Sequence, residues 1–133
     1  MRDTMVGYAV LRGTEDRATY RFEIRMMKRP ADAPESLVRR YTDGLSAAGQ
    51  RKVYERVLAM ALVGPHSNPE RYGDLGDGIY ELKVGQHRLP FFYDGKGVIV
   101  LTHGFLKRQR KAPPTEVRRA QELRDLYRRC YGG

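Results

Sequence analysis

Cysteine is nearly absent from this chain, because Cys130 is the single one among 133 residues. One cysteine excludes an intramolecular disulfide, and it forms no zinc-binding spacing with the scattered histidines His66, His87 and His103. No run of about 18 apolar residues occurs that would span a membrane, and the first residues lack the apolar segment of a signal peptide. We therefore expect a cytoplasmic protein with no metal site, no cofactor and no membrane contact.

Motifs of several enzyme classes are missing as well. The chain contains no G-x-S-x-G, Walker loop, G-x-G-x-x-G or H-E-x-x-H pattern. The glycines of GDLGDG, at 73–78, lack the strand-then-helix context of a phosphate-binding loop, so we interpret them as turn glycines. Positive charge is abundant instead: 25 Lys and Arg against 16 Asp and Glu give a net charge of +9. Such a balance favours polyanionic partners such as RNA, DNA or acidic protein tails.

Apolar periodicity predicts one α+β domain with the order β-αα-βββ-α and an antiparallel-rich sheet whose helices pack on one face. Residues 19–131 form this domain, and residues 1–18 are an N-terminal extension, either an extra strand or a loose tail. Asp32 is the predicted cap of the first helix, and residues 65–78 are a turn-rich connector. The predicted bounds are a strand at 19–27, a helix through Leu37 to Gly44, a helix from Ser46 to Gly64, strands at 79–84, 88–93 and 98–103, and a helix from about Thr115.

A tight hairpin is predicted where Gly85 and Gln86 separate two strands, because a two-residue Gly-X loop favours this turn. The hairpin places Lys83 opposite Arg88. Like charges directly opposed across a sheet are destabilising, so an anion bound between them would explain the pair. Screening by water and salt is the alternative.

The register of the next hairpin decides where His103 lies. With a four-residue loop, Tyr93 faces Val98 and Arg88 faces His103, which gathers Lys83, Arg88 and His103 on one face. A shift of one residue would put His103 on the helix side, and a lone histidine is more often structural than catalytic. The opposite, apolar face is predicted to consist of Tyr80, Leu82, Leu89, Phe91, Tyr93, Val98 and Val100.

Basic residues accumulate after Gly104. The segment FLKRQRK places Lys107, Arg108, Arg110 and Lys111 at the mouth of the predicted cationic face. This lopsided charge is what a surface that follows phosphates requires. The arginines of the last helix are interpreted as a solvated face.

Four segments resemble one protein family: GIYELK, HRLPFFY, GVIVLTHGFLKRQRKAP and EVRRAQE. They are similar to the phage-derived Gp49-like/HigB branch of the RelE/ParE toxin superfamily, whose members carry L-x-E-L-R/K, Y-R-I-x-Y, H-x-F-x-K-K, a proline and an amphipathic helix. The resemblance spans roughly residues 20–129. It implies a small RelE-like fold and the toxin of a type II toxin–antitoxin system, a metal-independent endoribonuclease that cuts messenger RNA, commonly on the ribosome, and so inhibits translation.

The resemblance also implies roles for individual residues. His87 stands where the family has tyrosine, and Pro90 interrupts a strand, which predicts a bulge or an unpaired amide. The expected catalytic residues are Lys83, Arg88, His103 and Arg108, and the expected RNA-binding residues are Lys107, Arg110, Lys111 and Phe105.

The chemistry of metal-free RNA cleavage indicates which role each of these residues would have. The 2′-hydroxyl attacks the neighbouring phosphate, so a protein must remove that proton, stabilise the phosphorane and protonate the 5′-oxygen. Arg88 and Arg108 are expected at the phosphorane, Lys83 at a phosphate or as a base, and His103 in proton transfer. The expected partners are messenger RNA, ribosomal RNA and a helix-turn-helix antitoxin. A catalytically silent RNA- or protein-binding module and a phage-derived structural protein remain alternatives.

Overall fold

The computed structural model describes residues 5–132 as a mixed seven-stranded sheet with three helices. The elements are β1 (Gly7–Val10), β2 (Glu23–Lys28), α1 (Leu37–Asp43), α2 (Ala47–Val63), β3 (Tyr72–Gly76), β4 (Ile79–Val84), β5 (His87–Tyr93), β6 (Val98–Leu101), β7 (Phe105–Leu106) and α3 (Pro114–Tyr131). The sheet order is β1-β2-β6-β5-β4-β3, and β7 pairs with β5. Strands β2 and β6 run parallel, while the other pairs are antiparallel. Within the described residues, no helix has the length and apolar character to cross a membrane.

Helices cover both faces of the sheet, so the prediction that they pack on one face is wrong. Val57 and Met60 of α2 lie in one core cluster, and Tyr127 of α3 lies in the other. Successive strand residues point to opposite faces, and the neighbours Phe91 and Phe92 of β5 are each 1% exposed. Strand β5 is therefore buried on both faces. The sequence of such a strand is expected to be a continuous apolar run rather than an alternation of apolar and polar residues.

Serine caps begin both central helices. The hydroxyls of Ser36 and Ser46 accept hydrogen bonds from the amides three residues on, at 3.0 and 3.1 Å. The prediction that Asp32 caps the first helix is wrong, because the helix starts at Leu37 after a serine cap. The predicted start of the second helix at Ser46 is confirmed.

Strand β3 lies inside the segment that was predicted to be a connector. It pairs with β4 through a two-residue turn, in which Asp77 and Gly78 have φ values of 55° and 75°. Positive φ at both turn positions is the geometry of a type I′ hairpin, for which Asp-Gly is a preferred sequence. Strand β4 therefore has a neighbour on each side.

The first predicted register is confirmed and the second is wrong by one residue. Lys83 pairs with Arg88 across β4 and β5. In the next hairpin Tyr93 pairs with Ile99 rather than Val98, because the Asp94 amide bonds to the Val98 carbonyl and so pairs Asp94 with Val98. Ile99 and Leu101, rather than Val98 and Val100, therefore share the face that α1 and α2 cover.

A bulge opposite Pro90 separates β6 from β7. Arg88 pairs with Phe105, so residues 102–104 stand opposite only two residues of β5. The bulge expected at Pro90 is thus confirmed. Because Arg88 faces Phe105 and not His103, the predicted common face of Lys83, Arg88 and His103 is wrong.

Candidate nucleic-acid interface and active site

A pocket of about 240 Å³ lies at the end of the β4–β5 hairpin. Strand β7 forms one wall, because the Lys107 amide donates a 2.8 Å hydrogen bond to the Gln86 carbonyl. The lining has three cations and no carboxylate, which suits a phosphate group. We call it the basic pocket, and its lining residues are Gln86, Arg88, Lys107, Arg108 and Gln109.

Arg88 is held from behind by the hairpin. Its Nη1 donates to the carbonyls of Gly85 and His87, at 2.7 and 3.0 Å, and its Nε lies 3.8 Å from Glu81 Oε1. Nη2 has no hydrogen-bond partner within residues 5–132 and is not among the buried polar atoms. The guanidinium therefore has a defined orientation and one nitrogen left for a ligand.

Glu81 also explains the paired cations without an external anion. The Glu81 side chain is 7% exposed, and its carboxylate lies beside the Arg88 guanidinium. Glu81 precedes Lys83 by two residues in β4, so both side chains are on the same face of the strand. The Lys83 ammonium turns away and donates a 2.9 Å hydrogen bond to the Pro69 carbonyl. A bound anion is therefore not needed to explain the Lys83–Arg88 pair, and Lys83 lies outside the lining of the basic pocket.

His87 and Tyr41 form a pair that the sequence did not predict. Tyr41 Oη lies 2.6 Å from His87 Nδ1, although the two residues are 46 positions apart. Burial, followed by the charges of Arg88 and Lys52, lowers the pKa of His87. His87 is therefore neutral at neutral pH, but it does not line the basic pocket, and as the neighbour of Arg88 in β5 it points to the opposite face of the sheet.

Comparison with known protein families matches residues 40–125 to the family described as phage-derived protein Gp49-like. The match covers more than half of the chain. The chain belongs to the Gp49-like family. All residues of the basic pocket and the His87–Tyr41 pair lie inside the matched segment. The predicted family is thereby confirmed, whereas no curated protein matches the chain.

The Gp49-like chain buries His103 away from the basic pocket. The residue is 1% exposed, its Nδ1 lies 3.0 Å from Thr102 Oγ1, and its ring stacks on Phe105. Its Nε2 has no hydrogen-bond partner within the described chain, and Glu116 Oε1 is 3.5 Å away. Burial, followed by the charge of Arg119, lowers the pKa of His103 to about 3, so the imidazole is neutral at neutral pH. His103 is not among the residues that line the basic pocket.

The remaining predicted residues divide into exposed and buried ones. Arg110 and Lys111 are exposed on the segment between β7 and α3. Phe105 is 6% exposed and packs on His103, so its ring has no free face for a base. Arg124 of α3 was assigned to a solvated face but is buried, and its Nη2 lies 2.8 Å from an Asp77 carboxylate oxygen. Within residues 5–132, no cluster of three or more His, Cys, Asp or Glu side chains could hold a metal ion.

Proposed function

We propose that this Gp49-like protein is the toxin of a type II toxin–antitoxin system that acts in the cytoplasm. Its activity is endonucleolytic cleavage of messenger RNA during translation. The observation that carries the proposal is the basic pocket, in which Arg88, Lys107 and Arg108 converge without a carboxylate in the lining. Membership of the Gp49-like family is compatible with a toxin of this kind.

The reaction needs no group beyond the chain, its RNA and water. The 2′-hydroxyl attacks the adjacent phosphate, the bond to the 5′-oxygen breaks, and a cyclic phosphate remains. Arg88, through Nη2, and Arg108 neutralise the charge that grows on the phosphorane, the largest single contribution in reactions of this type. Water at the open pocket takes the proton of the 2′-hydroxyl. Solvent at the open pocket protonates the leaving 5′-oxygen, and Lys107 holds the phosphate in place.

Partners follow from the charge around the pocket. Arg110 and Lys111 are exposed and continue the positive surface from β7 toward α3. This surface suits ribosomal RNA during cleavage and an acidic segment of a helix-turn-helix antitoxin in the neutralised state.

A catalytically silent RNA-binding module is the second candidate. The burial of His103 favours it, because the residue expected to transfer protons is 1% exposed and does not line the basic pocket. Such a module would use the same cations for affinity alone. The two candidates differ in whether bound RNA is cut.

Induction in bacteria, combined with primer extension on messages translated in a cell-free system, tests the proposal. We expect the intact protein to arrest growth and to cut translated messages. Arg108→Gln changes an exposed residue and should lower cutting about tenfold or more, whereas Arg88→Lys keeps the charge but loses the planar fork and should lower it similarly. Arg129→Gln, at an exposed position of α3, is the matched control and should cut normally.

Absence of both growth arrest and cutting with the intact protein would remove the nuclease proposal. RNA binding that depends on Arg108 without any cutting would instead support the binding module.

A further inference from the structure

A second pocket, of about 290 Å³, lies on the face of the sheet opposite the Arg88 side chain. The ring centroids of Tyr80 and Phe91 are 5.8 Å apart, as are those of Tyr80 and Tyr93, and those of Tyr72 and Phe91 are 6.5 Å apart. The loop after α2 closes one side. We call it the aromatic pocket, and its lining residues are Pro65, His66, Ser67, Pro69, Tyr72, Gly73, Asp74, Tyr80, Phe91 and Tyr93.

The aromatic pocket is open, and the tyrosine hydroxyls in it form no hydrogen bonds within residues 5–132. Tyr93 is 38% exposed. The hydroxyls of Tyr72, Tyr80 and Tyr93 have no hydrogen-bond partner within residues 5–132. Burial raises the pKa of Tyr72 and of Tyr93, so both hydroxyls stay protonated and able to donate.

Positive charge surrounds this pocket. Arg56 and Arg71 lie close enough to Tyr72 to act on it electrostatically, and Arg21 acts on Tyr93 in the same way. Within the described part of the chain none of the three arginines forms an ion pair. Asp74 is the acidic residue of the lining, and its Oδ1 already accepts from the Gly76 amide at 2.8 Å. The surroundings therefore favour an anionic ligand over a cationic one.

We propose that the aromatic pocket binds an unstacked base of single-stranded RNA, whose flanking phosphates contact Arg56 and Arg71. Aromatic faces stack on any base, and cations beside them follow the backbone, which is how single strands are generally held. The free tyrosine hydroxyls and the Asp74 carboxylate are available to the base edge. The choice of RNA as ligand rests on the proposed function.

Lys83 connects this pocket with the basic pocket. Its ammonium donates to the carbonyl of Pro69, which lines the aromatic pocket, and it pairs across the hairpin with Arg88, which lines the basic one. A single strand that passes from one pocket to the other would place a phosphate beside Lys83. This assigns Lys83 to substrate positioning rather than to the chemical step.

Fluorescence anisotropy with a single-stranded 2′-O-methyl oligonucleotide tests the proposal, because this probe binds but has no 2′-hydroxyl to attack. Tyr93→Leu should weaken binding roughly tenfold, since one base loses its stacking partner. The salt dependence of binding should stay the same, since no phosphate contact is lost. Arg71→Gln should instead reduce the slope of log affinity against log salt by about 0.7. Tyr131→Leu, at a residue 43% exposed on α3 and outside both pockets, should bind normally.

Tyr72→Leu is a second variant, and thermal unfolding shows whether each variant keeps its fold. Wild-type affinity in folded Tyr93→Leu and Tyr72→Leu would overturn the proposal, as would tighter binding of a methylated-lysine peptide than of the oligonucleotide. Failure of the proposed function gives a different result. If the protein binds the oligonucleotide through Tyr93 but cuts no message, the aromatic pocket is supported as a base-binding site and the nuclease proposal is rejected.

Discussion

Lowering the pH from 7 to 5 tests the environment of His103. Two groups of charged or titratable residues face this imidazole, Arg40 and Tyr41 of α1 and Glu116 and Arg119 of α3. The carboxylate of Glu116 favours the protonated ring, whereas burial and the arginine charge favour the neutral one. Burial dominates because His103 is 1% exposed, while the Glu116 side chain is 25% exposed and screened by water.

The magnitude follows from the pKa of His103, which is about 3 in the folded chain against 6.5 when unperturbed. Above pH 6.5 both states hold a neutral imidazole and stability is unaffected. Between the two pKa values the unfolded chain binds a proton that the folded chain does not, so the free energy of unfolding falls by about 1.4 kcal/mol per pH unit. From pH 6.5 to 5 this amounts to about 2 kcal/mol, a large part of the roughly 5–15 kcal/mol of a typical domain.

Urea denaturation at pH 7 and at pH 5, on the intact protein and on His103→Gln, measures this difference. Glutamine keeps a polar group near the imidazole position but does not titrate. We expect the variant to lose about 2 kcal/mol less than the intact protein between the two pH values. The pKa of His87 is also lowered, but His87 is present in both proteins, so its contribution cancels in the comparison.

Equal losses in the two proteins would refute the argument from burial. A gain in stability of the intact protein at pH 5 would show that the Glu116 carboxylate, 3.5 Å from His103 Nε2, forms an ion pair. Glu116→Gln separates these cases, because it should leave the pH dependence nearly unchanged if burial controls the protonation of His103.

Three further predictions concern contacts of the helices with the sheet. Gly104→Ala would place Cβ 2.5 Å from Tyr41 Cδ2, so thermal unfolding should show a loss of about 1–3 kcal/mol. Tyr41→Phe removes the hydroxyl that bonds His87 Nδ1, and thermal unfolding should show a loss of about 0.5–1.5 kcal/mol. Arg124→Gln removes the ion pair with Asp77 in the β3–β4 turn, and chemical denaturation should show a loss of about 1–3 kcal/mol.

The two hairpins show how far local pattern predicts register. The two-residue loop at Gly85 and Gln86 admits one pairing, so Lys83 was correctly placed opposite Arg88. The next connection, residues 94–97, admits more than one pairing, and the structure pairs Tyr93 with Ile99, with the Asp94 amide bonded to the Val98 carbonyl. An error of one residue reverses the faces of a whole strand, which is why Val98 and Val100 of β6 were assigned to the wrong face, while Tyr80, Leu82, Leu89 and Phe91 of β4 and β5 were assigned correctly.

The site separates into parts that are close in sequence and parts that are not. Arg88, Lys107 and Arg108 were predicted to act together, because each belongs to a basic motif near the end of a strand. In the structure they meet because β7 pairs with β5. Tyr41 comes from α1, and no local pattern connects it with His87. The aromatic pocket was missed because β3 was missed, although the Asp-Gly turn that precedes β4 was a signal for a hairpin.

Net charge alone does not say where a polyanion binds. Arg25 bonds Glu23 at 2.6 Å and Arg124 bonds Asp77, so these two arginines serve the fold, whereas Arg88 lies beside Glu81 and keeps one free nitrogen. The cations between β7 and α3 have no ion-pair partner within residues 5–132, and Lys107 and Arg108 among them line the basic pocket with Arg88. Besides Arg56 and Arg71 at the aromatic pocket, the positive charge that a phosphate can use lies at the basic pocket and along the segment that leads to α3. The cations without an ion pair there are Lys107, Arg108, Arg110 and Lys111.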